Sequence, residues 1–79
     1  STEIDLRGQN GDEAVMEPER FIDNDVRLHL ESIRIIHGKG TGAVRAAVHQ
    51  SLKKNKFVKK FRLGMYGEGE DGVTIAEFG

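Results

Sequence analysis

Seventy-nine residues, 37 % apolar and 32 % charged, suffice for one small globular domain and no more. The absence of cysteine excludes a disulfide framework and a thiolate zinc site, and no apolar run approaches the ~20 residues of a membrane span. A net charge of −1 conceals strong segregation: residues 1–31 carry nine acids and three bases, residues 32–64 nine bases and no acid, residues 65–79 four acids and no base.

A central block of +9 is what a polyanion-binding surface requires. The alternative is that the flanking acids balance it in space. Ser1-Thr2-Glu3 offers neither an initiating methionine nor a charged-then-apolar leader. The chain therefore reads as a single domain, residues 1–79, cut from a longer protein, with a reducing, cytoplasmic setting as the expectation.

Taken in chain order, Ile4 and Leu6 alternate with Glu3, Asp5 and Arg7, the period-2 pattern of a half-buried strand. Gly8 to Gly11 is a turn, and Asp12 caps a first helix carrying Val15, Phe21, Ile22 and Val26, with Pro18 as a kink or a late start. Ser32–His37 is a second strand. It runs into Gly38-Lys39-Gly40-Thr41-Gly42, where Thr41 is the expected cap of a second helix. That helix sets Val44, Val48 and Leu52 on one stripe and ends at Asn55-Lys56. Phe61 and Leu63 alternate with Lys60 and Arg62 in a third strand; Gly64–Gly72 is a glycine-rich loop and Val73–Phe78 a last strand.

Strands separated by helices predict parallel pairs, and the last two strands predict a hairpin. Two helices cover one face of a four-stranded sheet, and the polar side chains of Asp5, Arg7, Ser32, Arg34, Lys60 and Arg62 predict that the other face is wet. The expected fold is a two-layer α/β sandwich of order β-α-β-α-β-β with a mixed four-stranded sheet.

The chemistry should gather at the strand-to-helix loop. Three glycines in five residues let backbone amides approach a ligand, a helix start presents unpaired N–H groups, and Lys39 supplies a charge that suits phosphate. Gly40 stands where a Walker A loop needs Ser or Thr, so this is not that motif. Asp5 and Arg7 lie near the carboxyl end of the first strand and His37 at that of the second, where open α/β sheets collect ligands. By alternation, however, His37 shares the apolar side of Ile33 and Ile35, opposite Asp5 and Arg7. A histidine packed beneath the loop is the competing role.

Ile4-Asp5-Leu6-Arg7-Gly8, His37-Gly38-Lys39-Gly40-Thr41-Gly42, and Gly67-Glu68-Gly69 with Gly72-Val73-Thr74-Ile75 together resemble the Smr (small MutS-related) domain. Arg7 and the full His-Gly-Lys-Gly-Thr-Gly resemble the form at the C-terminus of the second-type bacterial MutS paralogue. The resemblance covers residues 3–78. It implies a sandwich like the C-terminal domain of translation initiation factor three, nucleic-acid binding, and in many members nicking endonuclease activity. It also implies DNA in recombination control, with RNA cleavage on stalled ribosomes or a non-catalytic nucleic-acid or ribosome-binding module as alternatives. The isolated domain is expected to be monomeric, within a dimeric parent, with no membrane partner.

Carried over residue by residue, the resemblance assigns catalysis to Asp5, Arg7, His37 and Lys39 and phosphate binding to Gly38, Gly40, Thr41 and Gly42. Arg45, Lys53, Lys54, Lys59, Lys60 and Arg62 would follow the nucleic-acid backbone, and Tyr66 could stack on a base. Magnesium or manganese is a possible cofactor, with Asp5 and Glu68 as candidate ligands. His29 stands where a glycine commonly ends the first helix, so a left-handed backbone is expected there. Arg7 replaces the His of stand-alone forms, which disfavours schemes with two histidines.

Overall fold

The computed structural model describes residues 3–9, 20, 22, 23, 27, 29–40 and 42–78. Asp12, Val15, Pro18, Phe21, Val26 and Thr41, and with them the expected caps and the Pro18 kink, lie outside the described residues. Four strands form one sheet: β1 (Glu3–Asp5), β2 (Ser32–Ile36), β3 (Lys60–Leu63) and β4 (Val73–Glu77). Their order in space is β1-β2-β4-β3.

β1 runs parallel to β2, and β4 is antiparallel to both β2 and β3. The last two strands do pair antiparallel, as their short connection requires. β2 and β3 share a direction, as strands joined through a helix should, but β4 is inserted between them. The two-layer sandwich with a mixed sheet is thus observed, its parallel pairing confined to β1 and β2.

Register divides the side chains cleanly. Ile4 lies beside Ile35, Thr74 beside both Ile35 and Leu63, and Ala76 beside Ile33 and Phe61. This is the covered face. Helix Ala43–Lys54 lays Val48 and Leu52 into the core formed with Leu6, Ile22, Ile33, Ile35 and Ala76, and Val44, Val58, Phe61 and Phe78 pack around it. The i, i+4 spacing of Val48 and Leu52 aims both at the sheet, and Lys53 and Lys54 in the last turn suit the negative end of the helix dipole.

Glu3, Asp5, Arg34, Ile36, Ile75, Glu77, Lys60 and Arg62 fall on the other, open face. Arg20, Ile22, Asp23 and Arg27 have helical backbone, and Ile22 is buried. His29 has φ 60, the left-handed backbone expected at that position.

The second helix begins at Ala43, after an N-cap glycine, Gly42, at φ 86. No acid stands in its first turn. The glycine-rich connection 64–72 also contains a short 3-10 turn, Glu70–Gly72, which the sequence pattern did not reveal.

Candidate nucleic-acid interface

Three cationic side chains converge on one shallow cleft of about 450 Å³, lined by Arg7, Arg34, Ile36, Gly38, Lys39, Gly69, Gly72 and Val73. Two glycine loops form its walls. Gly38 has φ 83, and a Cβ there would sit 3.3 Å from Cγ of Arg7, so glycine lets this arginine lie flat against the loop. Gly69 has φ 108, and a Cβ would overlap Cγ2 of Val73 while approaching Nη2 of Arg34 to 3.3 Å. The N–H groups of His37 and Gly38 both donate to the Gly72 carbonyl, at 3.1 and 2.9 Å, and lock the two loops together.

That lock amends one expectation. The Gly38 amide is already used inside the fold, so it is not a free donor for a ligand. Among the described residues, the amides of Lys39 and Gly40 donate to no such internal carbonyl. Lys39 itself pairs loosely with Asp71, at 3.6 Å on an exposed rim.

Arg7 is fixed by Asp5. Its Nε donates to Oδ1 at 3.0 Å and its Nη2 to Oδ2 at 2.6 Å, while its backbone N–H donates to Oδ1 at 3.0 Å. The Arg7 hydrogen bonds and charge hold the Asp5 carboxyl down to about 2, and the carboxylate in turn raises the pKa of Arg7. A carboxylate this acidic is a weak proton acceptor at neutral pH. Its geometric effect is to aim a guanidinium.

Arg34 was not singled out by the motifs. Its Nη1 donates to Glu3, and its Nε and Nη2 donate to the Glu68 carbonyl at 3.2 and 3.0 Å. The available signal was parity: Arg34 alternates onto the same wet face as Asp5 and Arg7. Glu68 carries its side chain elsewhere, to Nη1 of Arg62 at 2.8 Å and to the Met65 N–H at 2.7 Å, which lowers its carboxyl to about 2.

The two carboxylates expected to serve a metal are thus each held by an arginine. Among the described residues, no three His, Asp or Glu side chains converge on one point. Among the described residues, this donor set does not fit a resident divalent-metal centre.

His37 is 5 % exposed and stands behind the loop. Its Nε2 lies 2.8 Å from Oγ1 of buried Thr74, its Nδ1 3.0 Å from the Gly38 carbonyl. It therefore does not face the cleft that Arg7 and Lys39 share. Alternation places it with Ile33 and Ile35 on the covered side, in the position beneath the loop that the sequence pattern offered as its competing role.

The +9 block is also redistributed in space. Arg34, Lys39, Lys60 and Arg62 are matched by Glu3, Asp71, Glu77 and Glu68 from the acidic flanks. Arg45, Lys53, Lys54, Lys56 and Lys59 have no carboxylate partner among the described residues. Among the described residues, the cations without a carboxylate partner therefore lie on the helix and the turn after it. Arg45 arches over the helix start, with Nη2 2.9 Å from where a Gly42 Cβ would be. Tyr66 is 94 % exposed at the tip of the 64–72 loop, so it is not a buried anchor. No described helix is long and apolar enough to cross a membrane.

Sheet order, loop pair and cationic cleft together define a small α/β domain, and the chain belongs to the Smr domain family, whose model matches residues 4–79. It is 52 % identical over 77 residues to Endonuclease MutS2 of Ruminiclostridium cellulolyticum and 50 % identical over 78 residues to Endonuclease MutS2 of Agathobacter rectalis. These alignments cover 98 % and 99 % of the chain but only 10 % of each relative, so the chain spans about a tenth of their length. The crystal structure of the Smr domain of Thermus thermophilus MutS2 superposes with a TM-score of 0.95 at 38 % identity, covering 100 % of this chain and 99 % of that one. YdaL, a stand-alone small MutS-related protein from Escherichia coli, shares the fold at 23 % identity with a TM-score of 0.91, over 98 % of this chain and 63 % of its own.

Proposed function

We propose that this domain binds a phosphodiester of a nucleic acid in the cleft between its two glycine loops and supports nicking of that strand. DNA handled in recombination control is the primary substrate of this reading. The observation that carries it is the convergence of Arg7, Arg34 and Lys39 on one glycine-walled depression. A phosphate there would meet three cations and the Lys39 amide, which suits both the ground-state charge and the additional charge that develops during phosphoryl displacement.

Within this scheme Arg7 and Lys39 touch the phosphate, and Asp5 acts by holding the Arg7 fork in place. His37 positions the loop from behind. Gly42 leads into the helix start beside Arg45. Lys53, Lys54 and Lys59 would extend the electrostatic track along the helix side without reading base identity. Tyr66, exposed at a loop tip, offers a ring for stacking. The name Endonuclease MutS2 borne by relatives 50 % and 52 % identical supports cleavage as the outcome of this binding.

A second reading keeps the binding and omits the cleavage, as a nucleic-acid or ribosome-docking module within a longer, dimeric parent. It is favoured by the acidity of Asp5, which leaves no evident general base in the cleft. Supercoiled plasmid, branched DNA and structured RNA offered to the domain, with and without magnesium or manganese, separate the two. Nicking lost in Arg7→Ala and Lys39→Ala supports the first reading. Binding without nicking under every condition establishes the second.

A further inference from the structure

A chain of polar contacts crosses the core from the helix to the cleft. Nε2 of His49 lies 2.7 Å from Oγ1 of Thr74, that oxygen lies 2.8 Å from Nε2 of His37, and Nδ1 of His37 lies 3.0 Å from the Gly38 carbonyl. The direction of every proton follows from the last link. A carbonyl only accepts, so Nδ1 of His37 carries a proton and, in the neutral ring, Nε2 is the acceptor. Thr74 must then donate to His37, and its one hydroxyl is left to accept from Nε2–H of His49. Thr74 is fully buried, so no solvent supplies an alternative partner.

The far end of this chain sets the loop. No described peptide bond is cis, so the Gly38 carbonyl and the Lys39 N–H, which share one rigid plane, point in opposite directions. Drawing the carbonyl inward to His37 turns the Lys39 amide outward, toward the cleft.

We propose that His49 is a positioning residue: through Thr74 and His37 it fixes the Gly38–Lys39 peptide plane and so aims the Lys39 amide at a bound phosphate. The proposal rests on the phosphodiester-binding reading for its ligand, but the hydrogen-bond chain is testable without it. The charged or titratable groups around His49 are His37 at the end of β2, on the same covered face, and Arg45 and Lys53 on its own helix; Phe61 of β3 and Thr74 of β4 are uncharged neighbours. Burial first, then those three neighbours, lowers the His49 pKa and favours the neutral ring that the chain needs. With both rings cationic, both would donate to Thr74 and its own proton would be stranded.

The test is nitrogen-15 NMR of the imidazoles and of the Lys39 amide, with inorganic sulfate as the probe because its charge stays constant where histidine titrates. The domain should show neutral His37 protonated at Nδ1. Thr74→Val and His49→Ala should disturb that tautomer, shift the Lys39 amide and weaken sulfate binding there by roughly three- to tenfold, the value of one hydrogen bond. Thr74→Ser and His49→Gln, which keep the hydroxyl and a side-chain N–H donor, should restore binding to within about twofold.

A dispersed amide spectrum and an unchanged urea midpoint identify variants that remain folded, and the conservative pair keeps the test decisive if either larger change unfolds the domain. Neutral His37 protonated at Nε2 would overturn the proposal, as would a folded His49→Ala whose Lys39 amide and tautomer are unmoved. Failure of His49→Gln to restore them would reduce His49 to packing against Phe61. If the tautomer and amide respond as expected but no sulfate binds, the chain stands and the phosphodiester reading falls.

Discussion

Asp5 and His37 lie at the same end of neighbouring strands yet on opposite faces of the sheet. Asp5 pairs in register with Ile36 and so shares the open face, while His37, one residue further on, turns inward to Thr74. A direct carboxylate–imidazole dyad is therefore not built. The open face keeps the arginines, the covered face keeps the polar chain that orients the loop, and the rim between them holds the cleft.

This separation predicts unequal mutant effects. Arg7→Ala and Lys39→Ala should each lower the nicking rate by roughly a hundredfold, the loss typical of one charge-stabilising group. Asp5→Asn should cost less, and adding it to Arg7→Ala should cost almost nothing more, because both act through one fork. Single-turnover nicking of labelled plasmid gives these rates. A larger loss in Asp5→Asn than in Arg7→Ala would assign the carboxylate a role of its own.

Acid stability should follow the two exposed forks. Asp5 and Glu68 are both held at about 2, below ordinary values of 3.8 and 4.5. A carboxyl depressed in the folded state stabilises above its unfolded pKa and loses that contribution as pH falls through the folded one. The urea midpoint should be insensitive to these groups above about pH 5 and fall between about 4.5 and 2. Asp5→Asn with Glu68→Gln should flatten that fall, and the effect should be small because both pairs are solvated.

Gly69→Ala should destabilise the domain by about 1 kcal/mol or more, since the residue has φ 108 and its Cβ would overlap Val73. The loop carries the Glu68 carbonyl that Arg34 grips, so polyanion binding should weaken as well. Chemical denaturation and a filter-binding titration measure the two effects. An alanine variant with unchanged affinity would free the 64–72 loop from the interface.

Lys53, Lys54 and Lys59 should contribute affinity without specificity. Replacing all three with Gln should reduce the slope of log affinity against log salt by about 2 to 3 and leave the urea midpoint unchanged. Lys60 and Arg62 are poorer choices for this test, because Glu77 and Glu68 already engage them. Fluorescence anisotropy over a salt series reads the slope directly.

Much of this was legible in local pattern. Alternation in residues 3–6, 32–37 and 60–63 marked three strands and assigned their faces, and it correctly set His37 against Asp5. The stripe Val44, Val48, Leu52 located the helix and its buried side. What pattern could not give was the position of β4 between β2 and β3, since strand order depends on long-range pairing rather than on local periodicity. The same limit hid the cleft: Arg34 reaches Glu68 across 34 residues of chain, and the acids that match the basic block lie in the two flanks. Charge counted along the sequence therefore overstated the free charge in space.

The placement of β4 has a consequence for biosynthesis. β3 joins the sheet only through β4, and Thr74 of β4 is the link between the two histidines. As this domain emerges during synthesis, β1 and β2 can pair with each other, but β3 has no place in the sheet until β4 follows it. Closure of the core and assembly of the cleft thus become one event, and a chain stopped short of residue 73 presents neither.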